Sequence, residues 1–147
     1  MFGSIQKENE NKEKVKAALT AYSQLVNVSN EFWDRCCRVI DGNDFNGAIK
    51  CIDKKKGILS IMGFCVTAEF APVSDNSGNI FGKITFKHET TELCKILFDV
   101  SGRVLSQTCS EFSFYNMLKC DGLEAIFYDF VGKFIESDVM KDKENAN

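Results

Sequence analysis

Residues 58–71 read ILSIMGFCVTAEFA, and the fold turns on how many elements this stretch makes. Apolar side chains occupy both alternations from Ile58 to Val66, so the expected form is one continuous strand, buried on two sides or crossed by a helix. Pro72 is expected to end it. The polar run Ser74-Asp75-Asn76-Ser77-Gly78-Asn79 that follows is the strongest turn signal in the chain. Beyond it, Ile80, Gly82, Ile84 and Phe86 alternate with Phe81, Lys83, Thr85 and Lys87, the pattern of a strand with one wet face. Cys94, Ile96, Phe98 and Val100 alternate with Leu93, Lys95, Leu97 and Asp99, which predicts its hairpin partner. Apolar positions share a face only across an odd loop, and Glu89-Thr90-Thr91 would set Ile84 beside Ile96 and His88 beside Glu92. Ser101-Gly102 then turns the chain into a fourth strand over about 103–112. Its register has two solutions. A two-residue loop puts Leu105 and Cys109 on the core side, with Cys109 opposite Cys94; a three-residue loop puts Val104 and Phe112 there.

Upstream, Val15, Leu19, Tyr22, Val26, Ser29, Trp33, Cys36 and Ile40 recur at alternating steps of four and three. Ala18, Leu25, Phe32 and Val39 run beside them. One long amphipathic helix from about Lys12 to Ile40 follows, with the helix-poor Asn27-Val28-Ser29-Asn30 as a candidate bend. The neighbouring Cys36 and Cys37 then lie on or beside its buried face, as small apolar filler. After the turn Asp41-Gly42-Asn43, a short helix capped by Asp44 is expected to reach Ile52, with Phe45, Ala48, Ile49 and Ile52 on one face. Near the other end, Asp121 and Glu124 form a capping box for a helix that buries Leu123, Ile126, Phe127, Phe130, Val131, Phe134 and Ile135. Residues 113–120 suit either a strand end or an early turn of that helix. Residues 1–11 and 138–147 carry no apolar pattern and read as flexible ends of a single domain over 12–137.

This order, a long and a short helix, four antiparallel strands and a C-terminal helix packed on the sheet, is that of an α+β domain. The length of 147 residues with 44% hydrophobic content is enough to bury a core without a metal or disulfide staple. A net charge of −3 gives no broad attraction to phosphate, so nucleic acid is not an expected partner. The only basic run, Lys54-Lys55-Lys56, reads as a solvated turn. No stretch reaches the length of a membrane span or a signal-peptide core, so a cytoplasmic protein with no membrane partner is expected. Its seven cysteines, odd in number and irregularly spaced, are then expected to be thiols, Cys94 and Cys109 included.

Few residues point to chemistry. With a single histidine, a His-rich metal site or a two-imidazole mechanism is excluded. His88 could serve Cys94 as a base with Glu92 orienting it, but any hairpin with a polar end gives the same spacing. No Cys-x-x-Cys pair exists for zinc, and a calcium loop starting at Asp41 would meet Phe45 and Ile52 where ligands are needed. The phosphate loop, the dinucleotide fingerprint and the Gly-x-Ser-x-Gly elbow are missing. No metal, cofactor or catalytic residue is therefore assigned.

The expectation is a non-enzymatic module that occupies another protein, in the manner of an inhibitor, an immunity protein or a chaperone. Its candidate contact residues are Asp41, Asp44 and Asp53 around the inter-helix turns, Asp75 and Asn76, and an outward patch of Phe81, Leu93 and Leu97. Val15, Leu19, Tyr22 and Val26 could instead pair two copies along the long helix. The alternative is a small-ligand or enzymatic domain with an apolar pocket lined by Phe64, Phe86, Phe98 and Phe130, since thirteen phenylalanines supply unusual aromatic area.

Overall fold

The computed structural model describes residues 2–42, 45, 47–111, 114–119 and 122–141. Helix α1 spans Phe2–Gly42 and helix α2 spans Leu123–Glu136. Between them run β1 (Ile49–Asp53), β2 (Ile58–Ile61), β3 (Phe64–Ser74), β4 (Ile80–His88), β5 (Thr91–Phe98) and β6 (Val104–Gln107). The strands form one antiparallel sheet in chain order, β1 to β6. The α+β class holds, but the sheet has six strands where four were expected.

Both additional strands come from misread apolar runs. Residues 58–71 hold two strands, because Met62 and Gly63 take φ of +50° and +85° and close a two-residue hairpin, setting Ile61 opposite Phe64. This backbone suits Gly-containing hairpin loops, but methionine in the other loop position gives no turn signal. The short helix expected over 44–52 is instead β1. Gly47 at φ +71° breaks the helical path, and Ile49, Lys50 and Cys51 pair with Ile61, Ser60 and Leu59. The period is therefore two, so Ile49 is buried while Ile52, placed inside by the helical reading, is 59% exposed. Asp44, its expected cap, lies outside the described residues, as do Asp121 and Phe112.

Pro72 does not end β3 but pairs with Gly82 inside it. The pairing of β2 with β3 stops at Thr67, so the side of Pro72 facing away from β4 has no strand that needs an amide donor. The β4–β5 hairpin does set Ile84 opposite Ile96, but His88 meets Thr91 and not Glu92. Its loop holds two residues, with Glu89 at φ +54°, and the odd residue the parity requires is a bulge at Leu93. On the other side of β5 each expected register holds at one end. Near the turn, Asp99 N–H and Gly102 N–H reach Arg103 O and Asp99 O at 3.0 Å each, closing a three-residue loop with Phe98 opposite Val104. A bulge at Leu105 then restores the other register, so Ile96 meets Gln107 and Cys109 comes to Cys94. These two cysteines form a disulfide, which corrects the expectation of thiols there.

Helix α1 begins at Phe2, well before its expected start at Lys12, and at about 1.5 Å per residue is roughly 60 Å long. Its C-terminal half packs on β1, β3 and β4, burying Leu25, Val28, Phe32, Trp33, Cys36, Cys37 and Ile40. Helix α2 contributes Leu123, Ile126, Phe127, Phe130 and Phe134 to the same core, whereas Ile135, expected inside, is exposed. Gly122 caps it without a side-chain hydrogen bond. Phe114 and Met117, on the segment between β6 and α2, complete the core. Asn116 forms an isolated antiparallel bridge with Arg103 there, and the described residues 114–119 of this segment form no helix.

Candidate functional site

Two features remain once the core is accounted for: the overhanging part of α1 and a cleft beneath its middle. The first buried residue of α1 is Leu25. Before it the helix passes over the β3–β4 turn, where Lys14 lies against Gly78, and Tyr22 packs on Phe70 with ring centroids 6.1 Å apart. Ile5, Val15, Leu19 and Tyr22 are 54%, 56%, 63% and 43% exposed, so the stripe that buries Trp33, Cys36 and Ile40 continues outward largely uncovered by the described residues. Val26, also expected on the pairing face, is half-buried.

The cleft, about 470 Å³, lies between α1 and the sheet. Ser29, Asn30, Phe32 and Trp33 line its helix side, Ala68, Phe70, Ile84 and Phe86 with the polar Thr67 and Glu69 its sheet side, and the Lys54-Lys55-Lys56 turn one wall. Trp33 Nε1 is buried with no hydrogen-bond partner among the described residues. Lys54 is ion-paired with Asp34 of α1, which holds that carboxyl below the ordinary aspartate value, first through the lysine hydrogen bond. The basic run is thus a wall of the cleft, a placement that composition around residues 54–56 gave no reason to expect.

The other sequence candidates are scattered. Asp53 Oδ1 accepts from the amides of Lys55 and Lys56 at 3.1 Å each and builds the β1–β2 turn. Asp75 likewise ties its own turn, accepting from Ser77 N and Asn79 N at 2.9 Å each and from Asn79 Nδ2 at 3.1 Å. Asp41 and Asn76 are exposed. Phe81 and Leu97 are half-buried, whereas the bulge turns Leu93 toward the core, so the three do not form one patch. Phe64, Phe86, Phe98 and Phe130 do not enclose a pocket. Phe86 packs on Phe130 at 5.4 Å, Phe64 on Phe134 at 5.6 Å and Phe98 on Phe70 at 6.3 Å. The cavity beside Phe86 and Phe130 is only about 30 Å³. His88 Nδ1 lies 2.9 Å from Cys65 O and its ring meets Phe64, while Cys94 is held in its disulfide. Cys94 therefore offers no thiol for His88 to activate.

Four aspartates share one electrostatic condition. Asp34 is held down by Lys54, Asp75 by Asn79, and Asp129 by the Ser110 hydroxyl and then by the Glu111 amide at 2.7 Å. At Asp99 burial works upward but is outweighed by bonds from Ser101 and from the Arg103 amide. A carboxylate whose folded value is depressed stabilises the fold fully above its unfolded value and loses that contribution as pH falls through the folded one. The melting temperature is therefore expected to hold from neutrality to near the ordinary aspartate value of 3.8 and to fall below it. The Asp129→Asn variant should show a shallower fall; equal slopes for variant and parent would remove Asp129 from this account.

Comparison of the chain with protein-family models, with curated proteins and with solved structures gave no match. Among the described residues no group of three or more His, Cys, Asp or Glu is placed to hold a metal ion, and no helix is long and apolar enough to cross a membrane.

Proposed function

We propose that the chain is a non-enzymatic protein-binding module, acting by occupying a partner as inhibitors, immunity proteins and chaperones do, and that its overhanging helix is the docking element. The observation that carries this reading is the exposure of Val15, Leu19 and Tyr22 at steps of four and three on the half of α1 that overruns its own core. Continued backward, the series reaches Lys12, Glu8 and Ile5, a seam of heptad type about three heptads long. Glu8 and Lys12 bear on the occupant. A second copy in parallel register would set Glu8 against Glu8 and Lys12 against Lys12, which costs stability, whereas an antiparallel copy, or a helix of another protein with a base opposite Glu8 and an acid opposite Lys12, would not. We take a helix of a different protein as the occupant, with an antiparallel second copy as the competing outcome of the test.

The test is affinity capture from the native host with the parent and with Val15→Glu/Leu19→Glu, alongside sedimentation of the purified chain. A stoichiometric protein held by the parent and lost by about tenfold or more in the variant is expected, with unchanged melting because neither side chain is buried. Undiminished capture by the variant overturns the reading; a concentration-dependent dimer would give the seam to a second copy.

One observation favours a second reading. Trp33 Nε1, with no partner among the described residues, lies beside a cleft whose sheet side carries Ala68, Phe70, Ile84 and Phe86 along with Glu69 and whose lysine turn is basic, a lining that suits a small amphipathic ligand with an anionic end at the lysines. Native mass spectrometry of protein from its own host would reveal such a ligand, and Trp33→Phe should weaken its retention.

A further inference from the structure

The strand reading of residues 49–53 brings together two cysteines that the helical reading kept apart. Cys37, on the buried face of α1, and Cys51, half-buried on the edge strand β1, stand with their sulfurs 2.6 Å apart across a sequence separation of 14. They do not meet by isolated accident. Helix α1 and strand β1 run in opposite directions here, and the next cross-link along the same seam is the ion pair of Asp34 with Lys54. Cys36, although adjacent to Cys37, faces another way, into the small cavity with Phe32, Phe86 and Ile96.

We propose that Cys37 and Cys51 are a thiol pair that closes to a second disulfide under a disulfide oxidant, clasping edge strand β1 to α1 and fixing the wall of the cleft that carries Lys54, Lys55 and Lys56.

The chemistry balances with a glutathione-type disulfide as the electron acceptor. The Cys51 thiol attacks one sulfur of the oxidised dimer, forming a mixed disulfide at Cys51 and releasing one reduced thiol. The Cys37 thiol then attacks the Cys51 sulfur, its proton passes to the departing thiolate, and a second reduced thiol leaves. The protein loses two hydrogens and one oxidant molecule gains them. The order follows from position and acidity. Cys51 is on a sheet edge and partly exposed, whereas Cys37 is 2% exposed. Burial first, and then the neighbouring Cys51 sulfur, push the Cys37 thiol up to about 12. Burial raises Cys51 as well, but its hydrogen bond with Cys37 works against that rise. Cys51 therefore reacts first and Cys37 resolves.

The clasp matters for the cleft because β1 is an edge strand, paired with β2 and packed on α1. Its opening swings the lysine turn away from Trp33 and Ser29, so the redox state of this pair sets how long that wall stays formed. This inference rests on the sulfur contact alone and stands whether or not the overhanging helix docks a partner.

The test is to hold the purified chain in reduced or oxidised glutathione, block remaining thiols and map its peptides without reduction. A peptide holding Cys37 joined to one holding Cys51 is expected in the oxidised sample, and in Cys51→Ser the Cys37 thiol should stay available for blocking. Amide exchange in β1 should slow by roughly a hundredfold on oxidation, the chain-entropy gain for a loop of this size. Cys37→Ser gives an independent readout, because Cys51 should then stop at the mixed disulfide. The exposed Cys65 serves as the control that takes up glutathione without a resolving partner. The proposal is overturned if the parent also stops at a glutathione adduct on Cys51, if both thiols stay free, or if Cys51 links to Cys36.

Discussion

Replacing Phe98 by alanine is expected to cost about 3–5 kcal/mol, the range for emptying a buried aromatic site. Phe98 is fully buried, packs on Phe70, and lies over Gly82, its cross-strand partner on β4. The contact with Gly82 leaves no slack: a Cβ there would sit 2.4 Å from Phe98 Cζ and 2.7 Å from Cε2. The row Pro72, Gly82, Phe98, Val104 crosses β3 to β6, so the ring closes the sheet where a glycine left a gap. Removing the ring leaves a cavity bounded by backbone that cannot collapse into it. Adding a methyl at Gly82 produces the opposite fault. Gly82→Ala should cost about 1–3 kcal/mol by displacing the ring, and its cost should not add to that of Phe98→Ala, because removing the ring makes room for the methyl. For a chain of this size the Phe98→Ala loss corresponds to a drop of roughly 10–20 °C in melting temperature. A loss below about 1 kcal/mol in urea titration would mean that the core does not centre on this pair.

The same row shows what sequence pattern can and cannot supply. Alternation from Ile80 to Phe98 located β4 and β5 and paired Ile84 with Ile96, because one face of these strands is buried and a slip would invert every side chain. It could not locate the bulges at Leu93 and Leu105, since a bulge changes pairing without changing composition. Those bulges in turn decide where Leu93 points and whether Cys109 reaches Cys94. The apolar run at 58–71 concealed a hairpin because its turn is Met-Gly, with one residue that carries no turn preference. Residues 45–52 concealed a strand because Phe45, Ala48, Ile49 and Ile52 satisfy a helical period as well as Ile49, Cys51 and Asp53 satisfy a strand period. Short segments of this kind are ambiguous until a partner strand is known.

For the candidate sites the division is similar. The seam was legible from Val15 onward in its steps of four and three, because a helical period repeated over eight positions is a strong signal; its continuation to Ile5 was not, since Lys12 and Glu8 interrupt the apolar series and residues 1–11 read as a flexible end where α1 in fact starts at Phe2. Its exposure was not, since the same stripe is core at Trp33 and solvent-facing at Leu19. The cleft and the sulfur contact at Cys37 were illegible for one reason: both depend on β1, and β1 was read as helix. Errors in element type propagate to sites because a site is built between elements, whereas an error of a few residues in a helix end leaves its packing face unchanged.

Loss of the Cys94–Cys109 disulfide is the second large effect expected. The bond closes a loop with a sequence separation of 15 that contains most of β5, the following turn and all of β6. In the chain-entropy account a loop of that length contributes about 3 kcal/mol, chiefly by restricting the unfolded chain. Hydrogen bonds within this loop alone would not replace it, because β6 has only four residues and a bulge, and forms the outer edge of the sheet. The bond also positions Ser110 and Glu111, the donors that hold Asp129 of α2, so its loss should loosen α2 docking before the centre of the sheet melts. Cys94→Ala/Cys109→Ala should therefore lower the urea midpoint, and exchange protection should fall first in β6 and α2. Reducing the parent protein should reproduce the loss, and the double variant should not respond to reductant at this site. The disulfide lies at the β5–β6 end of the sheet and the Cys37–Cys51 pair at the β1 end, so their effects on stability should add to within about 0.5 kcal/mol. A double variant as stable as the parent would show that the ladder and core hold β6 without the bond.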